Sequence, residues 1–532
     1  MPHCTLCGAV TAKAVLDEAG WLDRGVVDRL ARAHPRWRQT DGACPACIQE
    51  AILTSLLIDG RPAFEGRVQS VWPLDAKAAF GAIPTPLRMR ADPRFKGKGS
   101  TIALVDAAFF PHPDLVRSQN RIRAWANAAA EPVVEQWYDP DDVPAWPRAD
   151  AAHQAGVWHG LMTSVTAAGN GWLSHGLYSG LAPESDVVLV QVGVEGAVIS
   201  AAIVRALAWL RYHARTFGLS VVSLSVAGDP VEPGEPNPVD DEVAALTADG
   251  IVVVAAAGNG GQRHLVPPAT SAEAITVGGV DDHNVVTSRE WSLWHSNYGA
   301  TNGRLPKPEV VAPSLWTIAP VLPYSEVASE AAALFRRRAE APSEKVDRRI
   351  AELRLVTPHY QHVDGTSFAA PIVAAVIACM RQANPRLTPA RIKGLLMLSA
   401  TRIPDAADER QGAGVVDAGL AVAAALSDGP ANHAVRQMPL IMEDAVRFVF
   451  HDRNARSVTV LGSWDQWHSP VIAAQQSAAG VWLARVRRPA AGRYNYKFLL
   501  DGTTWLPDPA NPVRMVNDEG QINSVFEVSP AA

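Results

Sequence analysis

The sequence predicts an α/β domain built on a parallel sheet flanked by helices, with a small all-β sandwich after it and a short cysteine-rich region before it. Three observations predict this organisation. Unbroken apolar runs of strand length occur at residues 101–105 and 251–257, as in strands buried on both faces of a parallel sheet. Short strand-like runs separated by Gly, Pro, Asn and Asp follow from Ala445 onward. Two Cys-x-x-Cys pairs lie near the start of the chain.

Each of the two apolar runs is followed by a polar residue. Asp106 comes directly after the first run, and Gly258 and Asn259 come after the second. Because residues just past the carboxyl ends of strands line the ligand crevice of an open α/β sheet, Asp106 and Asn259 should lie at its mouth. A carboxylate buried there can orient a histidine, and a side-chain amide can donate to a developing oxyanion.

A serine at a helix start is the candidate nucleophile. Ser367 stands where a turn leads directly into an apolar helix, and we expect Pro371 in the first turn, where no N–H is needed. The unpaired N–H groups and the positive end of the helix dipole favour the oxyanion of acyl transfer. His159, which precedes Gly160 and an apolar helix-like stretch, is the candidate base. Taken singly, these residues also fit an N-cap serine, a strand-end turn and a satisfied core histidine.

Together the motifs resemble those of the subtilisin-like serine proteases (subtilases), over about Phe95 to Leu426. The order Asp, His, Ser along the chain is that of subtilisin. The resemblance rests on residues 104–115, the His159-Gly160 helix, residues 256–260 and the Gly-Thr-Ser-Phe-Ala-Ala-Pro segment at 365–371.

The resemblance implies a subtilisin-like fold and a mechanism. Asp106 would orient His159, which would take the proton of Ser367 as the serine attacks a peptide carbonyl. Asn259 and the Ser367 N–H would hold the oxyanion. The segment Ser225, Val226 and Ala227 would bind the protein or peptide substrate.

The chain departs from the subtilase pattern beside Asp106, beside His159 and at Ala227. Ala107-Ala108 stands where the family usually has Ser or Thr and then Gly, and Leu161-Met162 replaces Thr-His. These changes predict a more apolar cleft. They leave open a slow enzyme, one that needs an activating partner, and an inactive binding scaffold. Ala227 replaces a family glycine, which predicts a narrower pocket that favours small side chains.

A charged, helix-forming segment at residues 325–355 is inserted before the nucleophile. It is broken at Pro342-Ser343 and has apolar residues at helical spacing in both halves. We therefore expect a helical hairpin near the mouth of the active site. Because charge runs usually mark solvated faces, a plain surface insertion and a lid or docking element both remain open.

The C-terminal segment, residues 443–532 after a linker at 427–442, resembles the glycogen-binding domain of the AMP-activated protein kinase β subunit. The resemblance rests on the segments 462–467, 496–498, 501–509 and 523–525. It implies an α-glucan partner that stacks on Trp467 and Trp505 and is hydrogen-bonded by Lys497 and Asn523. The alternative is that the tryptophans belong to the core and the module only packs against the protease domain.

The N-terminal region, residues 1–60, carries four cysteines in two pairs. Paired Cys-x-x-Cys knuckles suit a tetrahedral Zn²⁺, so the sequence predicts one structural zinc ion. Two disulfides and reduced thiols are the alternatives. A helix is predicted at Arg24–Ala33 between the pairs, and residues 61–94 connect this region to the protease-like domain. The predicted ligands are Cys4, Cys7, Cys44 and Cys47.

Composition limits the other possibilities. The 532 residues carry a net charge of −6 without a basic run, so we expect no nucleic-acid partner. No apolar run of membrane length and no leader-like segment is visible, so we expect no membrane partner. Thiol-rich knuckles favour a reducing, cytoplasmic location. Calcium binding, the natural substrate and the oligomeric state stay open.

Overall fold

The computed structural model describes residues 3–6, 8, 24–43, 47, 83–426 and 439–528. The exceptions within these ranges are residues 93–94, 136–150, 175, 195–196, 232–234, 236, 285–290, 302–304, 404, 442–444, 452–454, 468–471, 479–480, 509–510, 512 and 518. Cys7, Cys44, the connecting residues 48–82 and most of the predicted linker therefore lie outside the described residues.

In the described part of the chain, a nine-stranded sheet forms the centre of the larger domain. Its strands are β1 Thr101–Asp106, β2 Ile122–Asn127, β3 Val134–Glu135, β4 Asp186–Gln191, β5 Leu219–Leu224, β6 Val252–Ala256, β7 Ile275–Asp281, β8 Ser292–Leu293 and β9 Val310–Pro313. The spatial order is β8-β7-β6-β5-β1-β4-β2-β3, with β9 also pairing with β7. Pairing is parallel except at β7-β8 and β2-β3. The prediction of a parallel-dominated α/β sheet is confirmed.

Helices cover both faces of this sheet. The described helices are α1 Arg24–Ala33, α2 Thr85–Arg88, α3 Pro113–Val116, α4 Ala151–Ala168, α5 Ser200–Phe217, α6 Pro238–Ala248, α7 Glu326–Glu340, α8 Glu344–Glu352, α9 Thr366–Ala383, α10 Pro389–Ser399, α11 Asp408–Gln411 and α12 Ala418–Leu426. The predicted helix at Arg24–Ala33 is present with the expected bounds.

The central strand β1 is buried along its whole length because its side chains alternate between two helix layers. Ile102 and Leu104 belong to an apolar cluster that includes residues of α4 and α9. Ala103 and Val105 belong to a second cluster with residues of α5 and α6. An unbroken apolar run is what burial on both faces requires.

The insertion before the nucleophile forms the predicted helical hairpin, α7 and α8. Ser325 and Ser343 cap the two helices, and their hydroxyls accept hydrogen bonds from Ala328 N at 3.1 Å and Val346 N at 3.4 Å. Leu334 and other apolar residues of the hairpin share a small buried cluster. The hairpin is framed by an antiparallel sheet in the order β10-β12-β11, formed by β10 Thr317–Pro320, β11 Leu355–Thr357 and β12 Tyr360–Val363.

Residues 83–91, which precede β1, pack into the larger domain. Arg88 is nearly fully buried and makes a bidentate ion pair with Asp282, with nitrogen to oxygen distances of 2.8 and 2.7 Å. Its remaining N–H groups donate to the carbonyl oxygens of Leu315 and Trp316. A buried arginine needs this many acceptors because its charge cannot be neutralised.

The C-terminal domain is the predicted β sandwich. Its strands are β13 Leu440–Ile441, β14 Ala445–His451, β15 Val458–Gly462, β16 Ile472–Ala473, β17 Gln475–Ala478, β18 Val481–Arg487, β19 Gly492–Leu500, β20 Thr504–Leu506, β21 Arg514–Val516 and β22 Ile522–Val528. One sheet has the order β13-β14-β18-β17, and the other has β16-β15-β19-β22-β21 with β20 beside β19. Phe448, Tyr496, Phe498 and Phe526 fill the core between them.

One described helix, α9, is long and apolar enough to cross a membrane. It lies in the centre of the larger domain, with 78% of its length buried. Such burial is typical of the core helix of a globular domain.

Candidate active site

The predicted site residues meet at the edge of the sheet where the parallel strands end. Asp106 is the last residue of β1, and Ser225 directly follows β5. Asn259 comes just after β6, and Ser367 is in the first turn of α9. His159 is carried by α4, which packs against both β1 and α9. The structure thus brings together residues that are far apart in the sequence.

Asp106 and His159 are directly bonded. The His159 ring donates from Nδ1 to Asp106 Oδ1 at 2.7 Å, and Ala107 N donates to the same oxygen at 2.7 Å. Asp106 is 1% exposed, whereas the His159 side chain is 27% exposed. Burial alone would lower the pKa of His159, but the charge and the hydrogen bond of Asp106 outweigh it and raise the pKa above its ordinary value.

Thr163, which the sequence analysis did not single out, completes the hydrogen bonding of Asp106. Its Oγ1 donates to Asp106 Oδ2 at 2.8 Å. Thr163 lies four residues after His159 on α4, so both side chains are on one face of the helix. This i, i+4 spacing is the signal from which the contact could have been predicted.

Gly160 allows α4 to approach the turn after Asp106. A Cβ atom at this position would lie 1.8 Å from the carbonyl oxygen of Ala108, which no side chain tolerates. The glycine therefore sets the close approach of the helix that carries His159 to the strand that carries Asp106.

Ser367 lies in the first turn of α9, next to Phe368, whose ring contacts His159. The preceding Gly365 has a φ of +140°, which favours glycine at this turn. The ring of Phe368 has its centroid 5.8 Å from that of His159. Among the described residues, no hydrogen bond joins the His159 ring to Ser367 Oγ, and this bond is often long in unliganded enzymes.

Pro371 is inside α9, four residues after Ser367, and not in its first turn as we expected. Because proline has no N–H, it cannot donate to the Ser367 carbonyl as an ordinary helical residue would. Ser225 Oγ donates to that carbonyl instead, at 2.8 Å. The proline thus leaves the Ser367 carbonyl available as an acceptor, and the segment after β5 bonds to it.

Asn259 is held with its amide nitrogen toward the nucleophile turn. Its Oδ1 accepts hydrogen bonds from Thr366 N at 3.0 Å and Thr366 Oγ1 at 2.7 Å. A Cβ built on Gly365 would be 3.5 Å from Asn259 Nδ2. The Asn259 carbonyl accepts from His295 Nδ1 at 2.9 Å. Both ends of the residue are therefore fixed, which suits a preorganised donor.

The predicted substrate-binding segment lies along the same edge. Ser225 is buried with its hydroxyl engaged by Ser367, Val226 is half-buried, and Ala227 is exposed. Of the three, Ala227 is the residue whose side chain is open to a ligand.

Comparison with known proteins identifies the family of the larger domain. Residues 97–414, more than half of the chain, match the model of the subtilase family. The chain belongs to the subtilase family. The family prediction made from the motifs is thereby confirmed.

Several subtilases are similar to this chain. Serine protease AprX of Bacillus subtilis is 30% identical over 331 residues, which cover 60% of this chain and 66% of AprX, slightly less than two thirds. Subtilisin BL of Lederbergia lenta is 27% identical over 327 residues, covering 60% of this chain and 90% of that protein. The crystal structure of fervidolysin from Fervidobacterium pennivorans, a keratinolytic enzyme related to subtilisin, has 19% identity and a TM-score of 0.48, covering 79% of this chain and 56% of that one.

One departure from the subtilase pattern has a structural reason. Met162 is fully buried and packs with Ala319, Val363 and Phe368. Ala319 and Val363 belong to β10 and β12, which frame the inserted hairpin. The methionine therefore packs the His159 helix against the base of the insertion. A polar side chain would be buried there among apolar groups, at a cost in free energy.

Residues 445–532 match the model described as the glycogen recognition site of AMP-activated protein kinase. Trp467 and Trp505 form a T-shaped pair, with ring centroids 6.3 Å apart and an interplanar angle of 65°. Trp505 is 44% exposed, whereas Lys497 is 8% and Asn523 is 5% exposed. Trp464 lies against the core rings of Phe448 and Phe526, as a core tryptophan does.

Two of the four N-terminal cysteines are described, one from each pair. Cys4 Sγ and Cys47 Sγ are 4.0 Å apart, and Cys4 is buried. Gly8 N donates to the Cys4 carbonyl at 2.8 Å, which closes a tight turn behind the first pair. Among the described residues, no group of three potential metal ligands is found, and Cys7 and Cys44 lie outside them.

Proposed function

We propose that this chain is a serine endopeptidase that hydrolyses peptide bonds through an acyl-enzyme. The observation that carries this proposal is the 2.7 Å hydrogen bond from His159 to Asp106, made beside the amino end of the helix that bears Ser367. A buried carboxylate that fixes one ring nitrogen leaves the other free to accept the proton of a serine.

In the proposed reaction, His159 first accepts a proton and then donates it. Neutral His159 takes the proton of Ser367 Oγ as this oxygen attacks the substrate carbonyl. Asn259 Nδ2 and the Ser367 N–H stabilise the resulting oxyanion. His159 then gives its proton to the leaving amine, and water hydrolyses the acyl-enzyme with the same base. Asp106 remains ionised and stabilises the imidazolium.

Substrate is proposed to lie in extended form beside the segment after β5. Ala227 is the exposed residue of this segment, and its methyl group reduces the space open to the substrate side chain. Small residues before the scissile bond are therefore the expected preference.

The nucleophile is tested by covalent labelling. Ser367→Ala should abolish both peptide hydrolysis and labelling by a fluorophosphonate probe, because only the attacking oxygen is lost. Ser399→Ala is the matched control, since the Ser399 hydroxyl bonds only to carbonyls of its own helix. Equal labelling of wild type and Ser367→Ala would refute the assignment, and an unlabelled wild type would favour the binding-scaffold alternative.

We also propose that the C-terminal domain binds α-glucan. The register of β19 with β22 pairs Tyr496 with Ser524, so the next residues, Lys497 and Asn523, lie side by side on the opposite face from the core. Leu499 pairs with Trp505, which places Trp505 on that same outer face. Stacking surfaces beside polar groups are what a pyranose ring requires. The burial of Lys497 and Asn523 leaves Trp505 as the most open part of this face.

A structural zinc ion in the N-terminal region is a further proposal. The 4.0 Å between Cys4 Sγ and Cys47 Sγ is close to the edge of a tetrahedron with Zn–S bonds of about 2.3 Å, which is about 3.8 Å. This spacing supports the proposal that one cysteine of each pair binds the same ion.

A further inference from the structure

The buried carboxylate of Asp106 has an uneven set of hydrogen bonds. Oδ1 accepts two, from His159 Nδ1 and from Ala107 N. Oδ2 accepts from Thr163 Oγ1 at 2.8 Å, and no other described residue donates to it. Because Asp106 is 1% exposed, bulk water has little access to replace a missing donor. Among the described residues, Thr163 is therefore the donor that satisfies Oδ2.

Thr163 has a choice of acceptors. Its Oγ1 is 3.2 Å from the Gly160 carbonyl and 2.8 Å from Asp106 Oδ2. A threonine hydroxyl has one hydrogen, and an ionised carboxylate is a stronger acceptor than a carbonyl. The hydroxyl therefore donates to Asp106, and it is itself 1% exposed, so its position is fixed by packing.

The position of Thr163 in the sequence adds a second constraint. His159 and Thr163 lie one helical turn apart on α4; His159 donates to Asp106 Oδ1 and Thr163 donates to Asp106 Oδ2. One helix thus supplies a hydrogen-bond donor to each oxygen of Asp106. The residue that follows Asp106, Ala107, contributes only its backbone N–H.

We propose that Thr163 is a positioning residue of the catalytic apparatus, which holds the plane of the Asp106 carboxylate so that Oδ1 faces His159. This proposal rests on the proposed peptidase function. Thr163 does not touch substrate; it acts through Asp106 on the orientation and basicity of His159. Without the hydroxyl, the carboxylate loses the donor that anchors Oδ2, and its charge is compensated more by the protonated ring of His159.

The test compares Thr163→Val, Thr163→Ser and wild type in the full chain. Thr163→Val keeps the shape but removes the donor. We expect kcat to fall about ten- to a hundred-fold, the loss that corresponds to one hydrogen bond to a charged group, with KM little changed. The acid limb of the pH profile of kcat/KM should move to higher pH. Thr163→Ser should restore both.

Ser164→Ala is the matched control. Ser164 is the next residue of the same helix, equally buried, and its hydroxyl donates only to the carbonyls of Gly160 and Leu161. A purely structural effect of losing a buried hydroxyl from α4 should appear in this variant too, as a lower melting temperature without a change in kcat or in the acid limb.

A second readout does not depend on activity. The NMR titration of His159, in protein with ¹³C-labelled histidine, should give a higher midpoint in Thr163→Val than in wild type or Ser164→Ala. Wild-type kcat together with an unchanged His159 midpoint in Thr163→Val would overturn the proposal. If wild type neither hydrolyses peptides nor reacts with the fluorophosphonate, the peptidase function fails, and the titration still decides whether Thr163 controls His159 through Asp106.

Discussion

At the scale of single residues, the site depends on how one buried carboxylate is satisfied. Asp106 is shielded from solvent and receives donors from His159, Thr163 and the backbone of Ala107. Because solvent has little access to Asp106, these donors are what satisfies the two oxygens of its carboxylate. Asn259 is held in a comparable way, with its side-chain Oδ1 bonded by Thr366 so that its amide nitrogen is directed to the turn that carries Ser367. Hydrogen bonds within the protein therefore fix the orientation of both side chains without a bound substrate.

The raised pKa of His159 predicts the acid limb of activity. Burial lowers this pKa, but Asp106 raises it by more, so the ring stays protonated to a pH above 6.5. Since only the neutral ring accepts the serine proton, kcat/KM should fall as the pH falls through this raised pKa. A profile of kcat/KM against pH should therefore have its acid midpoint above 6.5. A midpoint below that value would contradict the assignment of His159 as the base.

At the scale of elements, the inserted hairpin is joined to the fold through its base strands. Tyr360 in β12 donates from its hydroxyl to Asp114 Oδ2 at 2.8 Å, and both groups are buried. Burial and the charge of Asp114 raise the pKa of Tyr360 well above its ordinary value, so the phenol stays a donor over the physiological range. Tyr360 also contacts Tyr178, with ring centroids 5.4 Å apart. The insertion thus contacts one segment that precedes the His159 helix in the chain and one that follows it.

Tyr360→Phe should weaken this anchor. The change removes the hydroxyl and leaves the buried Asp114 carboxylate short of a charge-assisted hydrogen bond, which costs about 1.5–3 kcal/mol. We expect a lower melting temperature and faster amide hydrogen exchange in residues 355–363. Tyr324→Phe is the control, because Tyr324 is 64% exposed and should change neither quantity. Equal stability of Tyr360→Phe and wild type would show that the bond does not anchor the insertion.

At the scale of the whole molecule, three regions with different chemistry are combined in one chain. The sandwich contacts the larger domain through Arg514 and Ile522, which line a small cavity together with Pro308, Glu309 and Gly412. These protease-domain residues precede β9 or lie near its start, whereas the candidate catalytic residues are at the opposite, carboxyl end of the parallel strands. A ligand on the sandwich and a peptide in the cleft are therefore expected to bind independently.

The glucan proposal predicts a loss of binding without a loss of catalysis. The full chain should co-sediment with glycogen, and Trp467→Ala combined with Trp505→Ala should abolish this, since the stacking surfaces are removed. Hydrolysis of a small soluble peptide should be unchanged. Trp172→Ala is the control, because Trp172 is a comparably exposed tryptophan of the protease domain. Sedimentation of the double variant at the wild-type level would make the module a docking domain for protein.

The zinc proposal predicts a metal content of one ion per chain. In the Ser367→Ala background, which prevents self-digestion, Cys4→Ser or Cys47→Ser should release the ion. Because the binding free energy of a structural metal is folding free energy, the first ~50 residues should then be cut by added trypsin before the rest of the chain. Cys379→Ser should keep the metal, since Cys379 is buried in α9 and burial raises its pKa to about 12. Wild-type protein without zinc would favour the disulfide alternative.

The sequence predicted what depends on local pattern. The apolar run before Asp106 predicted a strand within one residue of its observed end, and the break at Pro342-Ser343 predicted where the second helix of the insertion begins. Contacts between distant segments could not be predicted in this way. Asp114 and Tyr360 are 246 residues apart, and nothing in either neighbourhood indicates the other. Thr163 is intermediate, since its spacing from His159 was visible but its acceptor depended on the packing of α4 against β1.

The hydrogen bond from Ser225 to the Ser367 carbonyl has a consequence for any attempt to change which peptides are cleaved. This bond joins the proposed substrate-binding segment to the turn that carries Ser367, and Pro371 leaves the acceptor free for it. We expect a substitution that widens the pocket at Val226 or Ala227 to displace Ser225 and, through this bond, the turn that carries Ser367. Specificity and turnover should therefore change together in such variants, and a redesigned pocket should preserve the path of β5.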